Sequence, residues 1–272
     1  MAATTKEFAG KVVFIAGGSS GINLGIAKGF AEQGAKVAIA SRSQERIDGA
    51  VAELKAFGGE VRGYSADVRD AAAIAAVLKQ AHDDLGPFDV LVSGAAGNFV
   101  APALGMSANG FKTVIDIDLN GTFHVLRAAH EFLKKPGASI VNISAPQAIN
   151  PMPYQAHVCA AKAGVDMLTK VLAMEWGPEG IRVNSIIPGP IADTEGMRRL
   201  APGEAAIAAV ANSVPLRRLG KASEIADMAL FLSSERAAYV TGAIIPVDGG
   251  SALGGGLSLQ GAALATAAAA KK

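Results

Sequence analysis

The chain has 272 residues, half of them apolar, a formal charge of +1 and a single cysteine, Cys159. Balanced charge without a block of one sign argues against a nucleic-acid partner or a membrane-surface role. One cysteine excludes an intrachain disulfide and argues against a cysteine-based zinc site, so no metal is expected. The amino-terminal stretch lacks the apolar core of a signal peptide, and no uncharged apolar run of spanning length precedes the tail. The last three residues, Ala270-Lys271-Lys272, are not Ser-Lys-Leu. A cytoplasmic protein is the expectation.

In chain order, residues 11–16 (KVVFIA) form a β-branched apolar run that stops at Gly17-Gly18. Residues 36–41, 89–93, 138–144, 181–187 and 243–247 repeat the style, and 60–65 (EVRGYS) is a weaker copy. Such runs read as strands buried on both faces of a parallel sheet. Between them, Ile22–Gln33, Gln44–Phe57, Ala71–Leu85, Gly110–Lys134 and Tyr154–Trp176 have helical spacing. The alternation predicts an α/β chain, a doubly wound parallel sheet of about seven strands with helices on both faces. Residues 1–253 read as one dinucleotide-binding domain. A helical flap over the substrate is expected near 191–215, where the alternation breaks just after a strand end. Residues 254–272 read as a Gly/Ala-rich tail.

The first strand runs into Gly17-Gly18-Ser19-Ser20-Gly21-Ile22-Asn23. Glycines there let the backbone turn tightly against a pyrophosphate, and the following helix points its free N–H groups at the anion. The second strand ends Ser41-Arg42, where NAD would need an acidic residue for the ribose hydroxyl. A guanidinium suits a 2′-phosphate, so NADP(H) is the expected cofactor.

The loop spacing, Gly-x-x-x-Gly-x-Asn, resembles the Gly-x-x-x-Gly-x-Gly of short-chain dehydrogenases/reductases. Asn23 stands for the third glycine; because asparagine tolerates left-handed angles, the turn is expected to survive. The resemblance continues through Asp67-Val68, Ser93-Gly94-Ala95-Ala96, Pro188-Gly189-Pro190-Ile191 with Thr194, and Asp248-Gly249-Gly250. It implies that Asp67 and Val68 meet the adenine. It also implies that Pro188, Gly189, Ile191 and Thr194 sit at the nicotinamide. A narrower resemblance, carried by 95–99, 111–118 and 194–200, is to 2,4-dienoyl-CoA reductases of the peroxisomal type. It implies reduction of an unsaturated acyl-CoA thioester by NADPH, and a homotetramer.

The catalytic positions depart from the family pattern. Lys162 is kept, but the usual tyrosine is Val158, the usual serine is Ala145 with Ser144 beside it, and the usual asparagine is Asp118. The peroxisomal type likewise lacks the tyrosine and keeps a lysine and an aspartate. It thereby implies Lys162 as ribose anchor and electrostatic partner, and Asp118 as proton-relay acid. Asp118 lies in an apolar run, and burial there would raise its pKa. The mitochondrial type implies Asn120 as a donor to the thioester oxygen, with Gln147 where that type has its tyrosine. An alcohol dehydrogenase or ketoreductase with a displaced proton donor, Tyr154 or Ser144, is the alternative; a non-catalytic NADP-binding protein is the third reading. His157 is the one imidazole near the expected site and is a minor candidate. Arg198, Arg199, Arg217 and Arg218 flank the flap and suit CoA phosphates.

Overall fold

The apolar runs pack as seven parallel strands because each presents β-branched or small residues to helices on both faces. The computed structural model describes residues 6–253, so the tail expected at 254–272 lies outside the described residues. The elements in order are β1 (Val12–Ala16), α1 (Gly21–Glu32), β2 (Lys36–Ser41), α2 (Gln44–Lys55), β3 (Val61–Ser65), α3 (Ala71–Leu85), β4 (Val90–Ser93) and α4 (Ala108–Val114). A π-helical turn (Ile115–Asn120) leads into α5 (Gly121–Ala129), β5 (Ser139–Ile143), α6 (Ala156–Trp176) and β6 (Arg182–Pro188). The chain then forms α7 (Glu195–Leu200), α8 (Glu204–Ser213), α9 (Ala222–Ser233) and β7 (Ile244–Val247).

The strand order is β3-β2-β1-β4-β5-β6-β7. Every residue of β1, β4 and β5 is buried. Alternate residues of β1 feed two cores: Ile15 packs with Ile26, Phe30 and Ile225 on one face, and Phe14 packs with Leu78, Phe88 and Leu126 on the other. Burying each such side chain contributes about 1.5–3 kcal/mol. The edge strand β3 leaves Arg62 and Ser65 exposed, which explains its faint apolar signature. The other edge, β7, carries Pro246, a residue confined to edges because it donates no backbone bond.

From β1 the chain steps to β2 on one side, and β4 pairs with β1 on the other. The crevice outside the carboxyl ends of β1 and β4 is where such sheets hold ligands. Two expected helices differ in a way that matters there. The helix expected over Gly110–Lys134 is interrupted by the π-helical turn, a feature common at functional sites. The helix expected from Tyr154 starts at Ala156, because Tyr154 has φ +66°, which no helix admits. The flap segment forms α7 and α8 around a small cluster of Met197, Ala201, Ala206 and Val210.

Candidate active site

At the carboxyl end of β1, Gly17 has φ +84° and its N–H donates to Ala40 O at 2.7 Å. A Cβ there would come within 2.9 Å of the Ala95 nitrogen, so only glycine leaves the loop open. Ser20 precedes α1 in extended conformation without a side-chain cap, and the first N–H groups of that helix are left for an anion. A groove of about 820 Å³ runs from this loop past Ser41 and Asp67 to Gly97, a size suited to a dinucleotide. Gly17, Ser19, Ser20, Ser41, Arg42, Asp67 and Val68 all line it.

Asn23 works differently from the expectation. It sits within α1, so no left-handed angle is needed, and its side chain ties the loop to the neighbouring strand end. Its Nδ2 donates to Gly94 O at 2.7 Å and to Gly17 O at 3.4 Å. A Cβ on Gly94 would meet Asn23 Oδ1 at 2.2 Å. Gly94→Ala is therefore expected to cost about 1–3 kcal/mol of stability, the usual range for overpacking, and to weaken cofactor affinity. Urea unfolding together with a cofactor titration measures both.

At the ribose end, Ser19 Oγ donates to Ser41 Oγ at 2.8 Å. Arg46 and Arg199 line the groove beside Arg42. Glu195 bridges them, lying 3.6 Å from Arg46 and also bonded to Arg199. Arg46, in the first turn of α2, is a groove residue that the sequence analysis does not single out; its place just after the Ser41-Arg42 strand end is the available signal. Asp67 is gripped by Arg69, whose hydrogen bond holds its carboxyl below the ordinary range. Gly21 and Thr194 line an adjoining cleft, and Gly189 and Ile191 line a cavity with Pro246 and Asp248. Thr194 spends its hydroxyl on the start of α7, accepting from Met197 N–H and donating to Ile191 O. Ile22 packs on the core beneath the loop, and Pro188 is buried at the end of β6. Of the arginines assigned to CoA phosphates, Arg199 and Arg218 are in ion pairs with Glu195 and Glu224. Arg198 and Arg217 donate to backbone carbonyls.

The π-helical turn rotates Asp118 inward until it is 1% exposed, beside Lys162 of α6 at 4%. Gly97 N–H donates to Asp118 Oδ1 at 2.7 Å, and Lys162 Nζ lies 3.5 Å from Oδ2. Lys162 Nζ also donates to Ile143 O at 3.0 Å. Burial pushes the Asp118 carboxyl above its ordinary range, and Lys162 and the Gly97 N–H draw it part of the way back. Oδ2 makes no hydrogen bond among the described residues. Val158, at the position to which the family resemblance assigns a tyrosine, is buried on the same helix.

The other sequence candidates are not all brought to this pair. Asn120 is exposed and donates to Asp116 Oδ1 at 3.0 Å. Residues two apart on a helix point to opposite sides, so turning Asp118 inward turns Asn120 out. Tyr154 is 42% exposed on the loop before α6. Ser144 is buried and its Oγ makes no hydrogen bond among the described residues, while the Asp166 carboxyl accepts from Ser185 at 3.0 Å. Gln147 is buried and donates to Gln155 Oε1 at 2.6 Å. His157, by contrast, is fully buried near Asp118.

The family model described as Enoyl-(Acyl carrier protein) reductase matches residues 16–252. The peroxisomal 2,4-dienoyl-CoA reductase [(3E)-enoyl-CoA-producing] of Pongo abelii is 47% identical over 89% of this chain and 83% of its own. The protein of the same name from Rattus norvegicus is 46% identical over the same shares. Both names are peroxisomal, whereas the sequence reading expects the cytoplasm. The crystal structure of a short chain dehydrogenase from Bacillus anthracis superposes with TM-score 0.79 at 41% identity, covering 91% of this chain and 98% of that one. Identity at this level over most of the chain, on one fold, means common descent: this protein belongs to the short-chain dehydrogenase/reductase family, whose members are nicotinamide-dependent oxidoreductases.

Proposed function

We propose that the chain is an NADPH-dependent 2,4-dienoyl-CoA reductase. The observation that carries this reading is the Asp118–Lys162 pair, buried beside the groove while a valine stands where a tyrosine would protonate a carbonyl oxygen. Reducing a conjugated thioester needs no proton on oxygen in the final product. The chemistry supplied by bound NADPH is one hydride, added at C5 of the dienoyl group. The electron pair moves through the double bonds to the thioester oxygen, giving a dienolate. The charge of the buried Lys162 stabilises that developing anion. The names of the Pongo abelii and Rattus norvegicus relatives give a (3E)-enoyl product, which requires the proton at C2. Asp118 is the acid for that step, since burial keeps its proton at a higher pH than an exposed aspartate would.

Two further facts support the reading over a ketoreductase with a displaced donor. Tyr154 has no hydrogen bond to Lys162 or Asp118, and Ser144 faces Asp166. An acyl substrate is supported by Phe99, Val100 and Leu104, apolar side chains left exposed on the loop that follows Gly97. A homo-oligomer is supported by Met167, Val171 and Met174, exposed along α6, with light scattering as its test.

NADPH over NADH rests on Ser41, Arg42 and Arg46 at the ribose end. Arg42→Ala is expected to weaken NADPH binding by about 1.5–3 kcal/mol, roughly 10- to 100-fold, the range for a charge-assisted hydrogen bond. NADH affinity stays close to that of the unaltered protein. Equal losses for both nucleotides, measured by fluorescence titration, would reject the role. The activity is tested by cofactor consumption with 2,4-hexadienoyl-CoA beside a panel of ketones and alcohols. Turnover of the dienoyl thioester is expected; turnover of ketones alone would overturn the reading.

A further inference from the structure

His157 is fully buried, yet among the described residues neither ring nitrogen has a hydrogen-bond partner. Leaving one buried polar group unpaired costs about 1–3 kcal/mol, and an imidazole always presents a donor or an acceptor at each nitrogen. A residue kept for packing alone would be more stable as leucine or phenylalanine. The surroundings of the ring are specific. The Phe99 and His157 rings meet edge to face, with centroids 4.3 Å apart and planes at 77°. Two residues earlier on the same loop, Gly97 N–H holds Asp118. The loop is pinned over the start of α6 by Ala101 N–H, which donates to Tyr154 O at 3.0 Å. One short loop segment thus touches both groups, Gly97 holding the Asp118 carboxyl and Phe99, two residues on, covering the imidazole. Asp118 Oδ2, also buried, makes no hydrogen bond among the described residues and has the Lys162 charge 3.5 Å away. Phe99 itself is 40% exposed, so one side chain separates the imidazole from solvent.

We infer that His157 is a proton-relay residue that reloads Asp118 after each turnover, taking its proton from water admitted past Phe99. The inference rests on the diene-reductase reading above. When Asp118 gives its proton to C2 of the dienolate, it is left as a carboxylate. The neutral imidazole donates its N–H proton to that carboxylate, directly or through one water, and its other nitrogen accepts a proton from solvent. One solvent proton is used per turnover, the electrons are those of the hydride, and the imidazole ends neutral. A turn of the ring resets it. Burial lowers the proton affinity of His157, which keeps the ring in the neutral form this exchange requires.

His157→Phe keeps the aromatic volume and removes both nitrogens; His157→Gln keeps one donor and one acceptor and serves if the first variant folds poorly. The readouts are kcat on 2,4-hexadienoyl-CoA, its solvent deuterium isotope effect, and NADPH affinity. The expected result is a fall in kcat of about 10²- to 10⁴-fold. The solvent isotope effect increases as reprotonation becomes limiting, NADPH affinity is unchanged, and added imidazole restores part of the rate to His157→Gly. A packing role alone would not move the isotope effect or respond to imidazole. Unchanged kcat and isotope effect in the His157 variants, with the unaltered protein active, would overturn the relay and leave the functional reading standing. A dienoyl thioester that the unaltered protein does not reduce would overturn both.

Discussion

Asp118→Ala is expected to lower turnover of a 2,4-dienoyl-CoA by about 10²- to 10⁴-fold, the usual contribution of a general acid, while NADPH binds as before. The carboxyl is 1% exposed and held from one side by Gly97 N–H, away from the nucleotide groove's phosphate and ribose ends. Its loss removes a proton donor, not a cofactor contact. Asp118→Asn separates shape from acidity, since the amide can still accept from Gly97. It should be as slow as the alanine variant. The pH profile gives the sign. Burial raises the Asp118 carboxyl, and the acid form is the one that donates. In the unaltered enzyme kcat therefore falls as pH rises through that raised value, and the limb disappears in Asp118→Asn. A retained limb in the asparagine variant would assign the ionisation elsewhere.

Lys162→Ala is expected to abolish turnover and to destabilise the fold by about 3–5 kcal/mol, the penalty for stranding one member of a buried ion pair. Asp118 loses its counter-charge and the Ile143 carbonyl loses its donor. The instability should depend on pH. Lys162 is the largest influence drawing the Asp118 carboxyl down, so without it the carboxyl titrates higher still. Its native form then holds a proton that the unfolded chain has already released. Stability falls as pH rises from the ordinary aspartate value through the raised one, and the penalty shrinks below that window, where both states are protonated. Urea unfolding at acid and neutral pH checks this. A loss of equal size at both would place the damage in packing instead of charge.

Strand–helix alternation was readable because apolar runs and helical periods are local properties of the chain. So was the phosphate loop, where glycines fall between a buried strand and an apolar helix. The π-helical turn was not readable. A single extra residue in an apolar helix leaves the composition unchanged, yet it decides that Asp118 turns inward and Asn120 outward. Asn23 was read as a backbone substitute for glycine, whereas its value lies in a side-chain bond to Gly94, distant in sequence. His157 carried only the weak signal of an imidazole near a lysine. Its burial depends on Phe99 folding back from another loop, which no local pattern reveals. Arg46 and Glu195 meet across the groove for the same reason.

The central claim is that this site protonates carbon, not oxygen. The most direct test is one reaction of the purified protein with NADPH and 2,4-hexadienoyl-CoA in D₂O, quenched, returned to H₂O and read by mass spectrometry. The prediction is an enoyl-CoA product that keeps one solvent deuterium on C2. A product with no carbon-bound solvent deuterium, or one in which a carbonyl has become an alcohol and the diene remains, would contradict it.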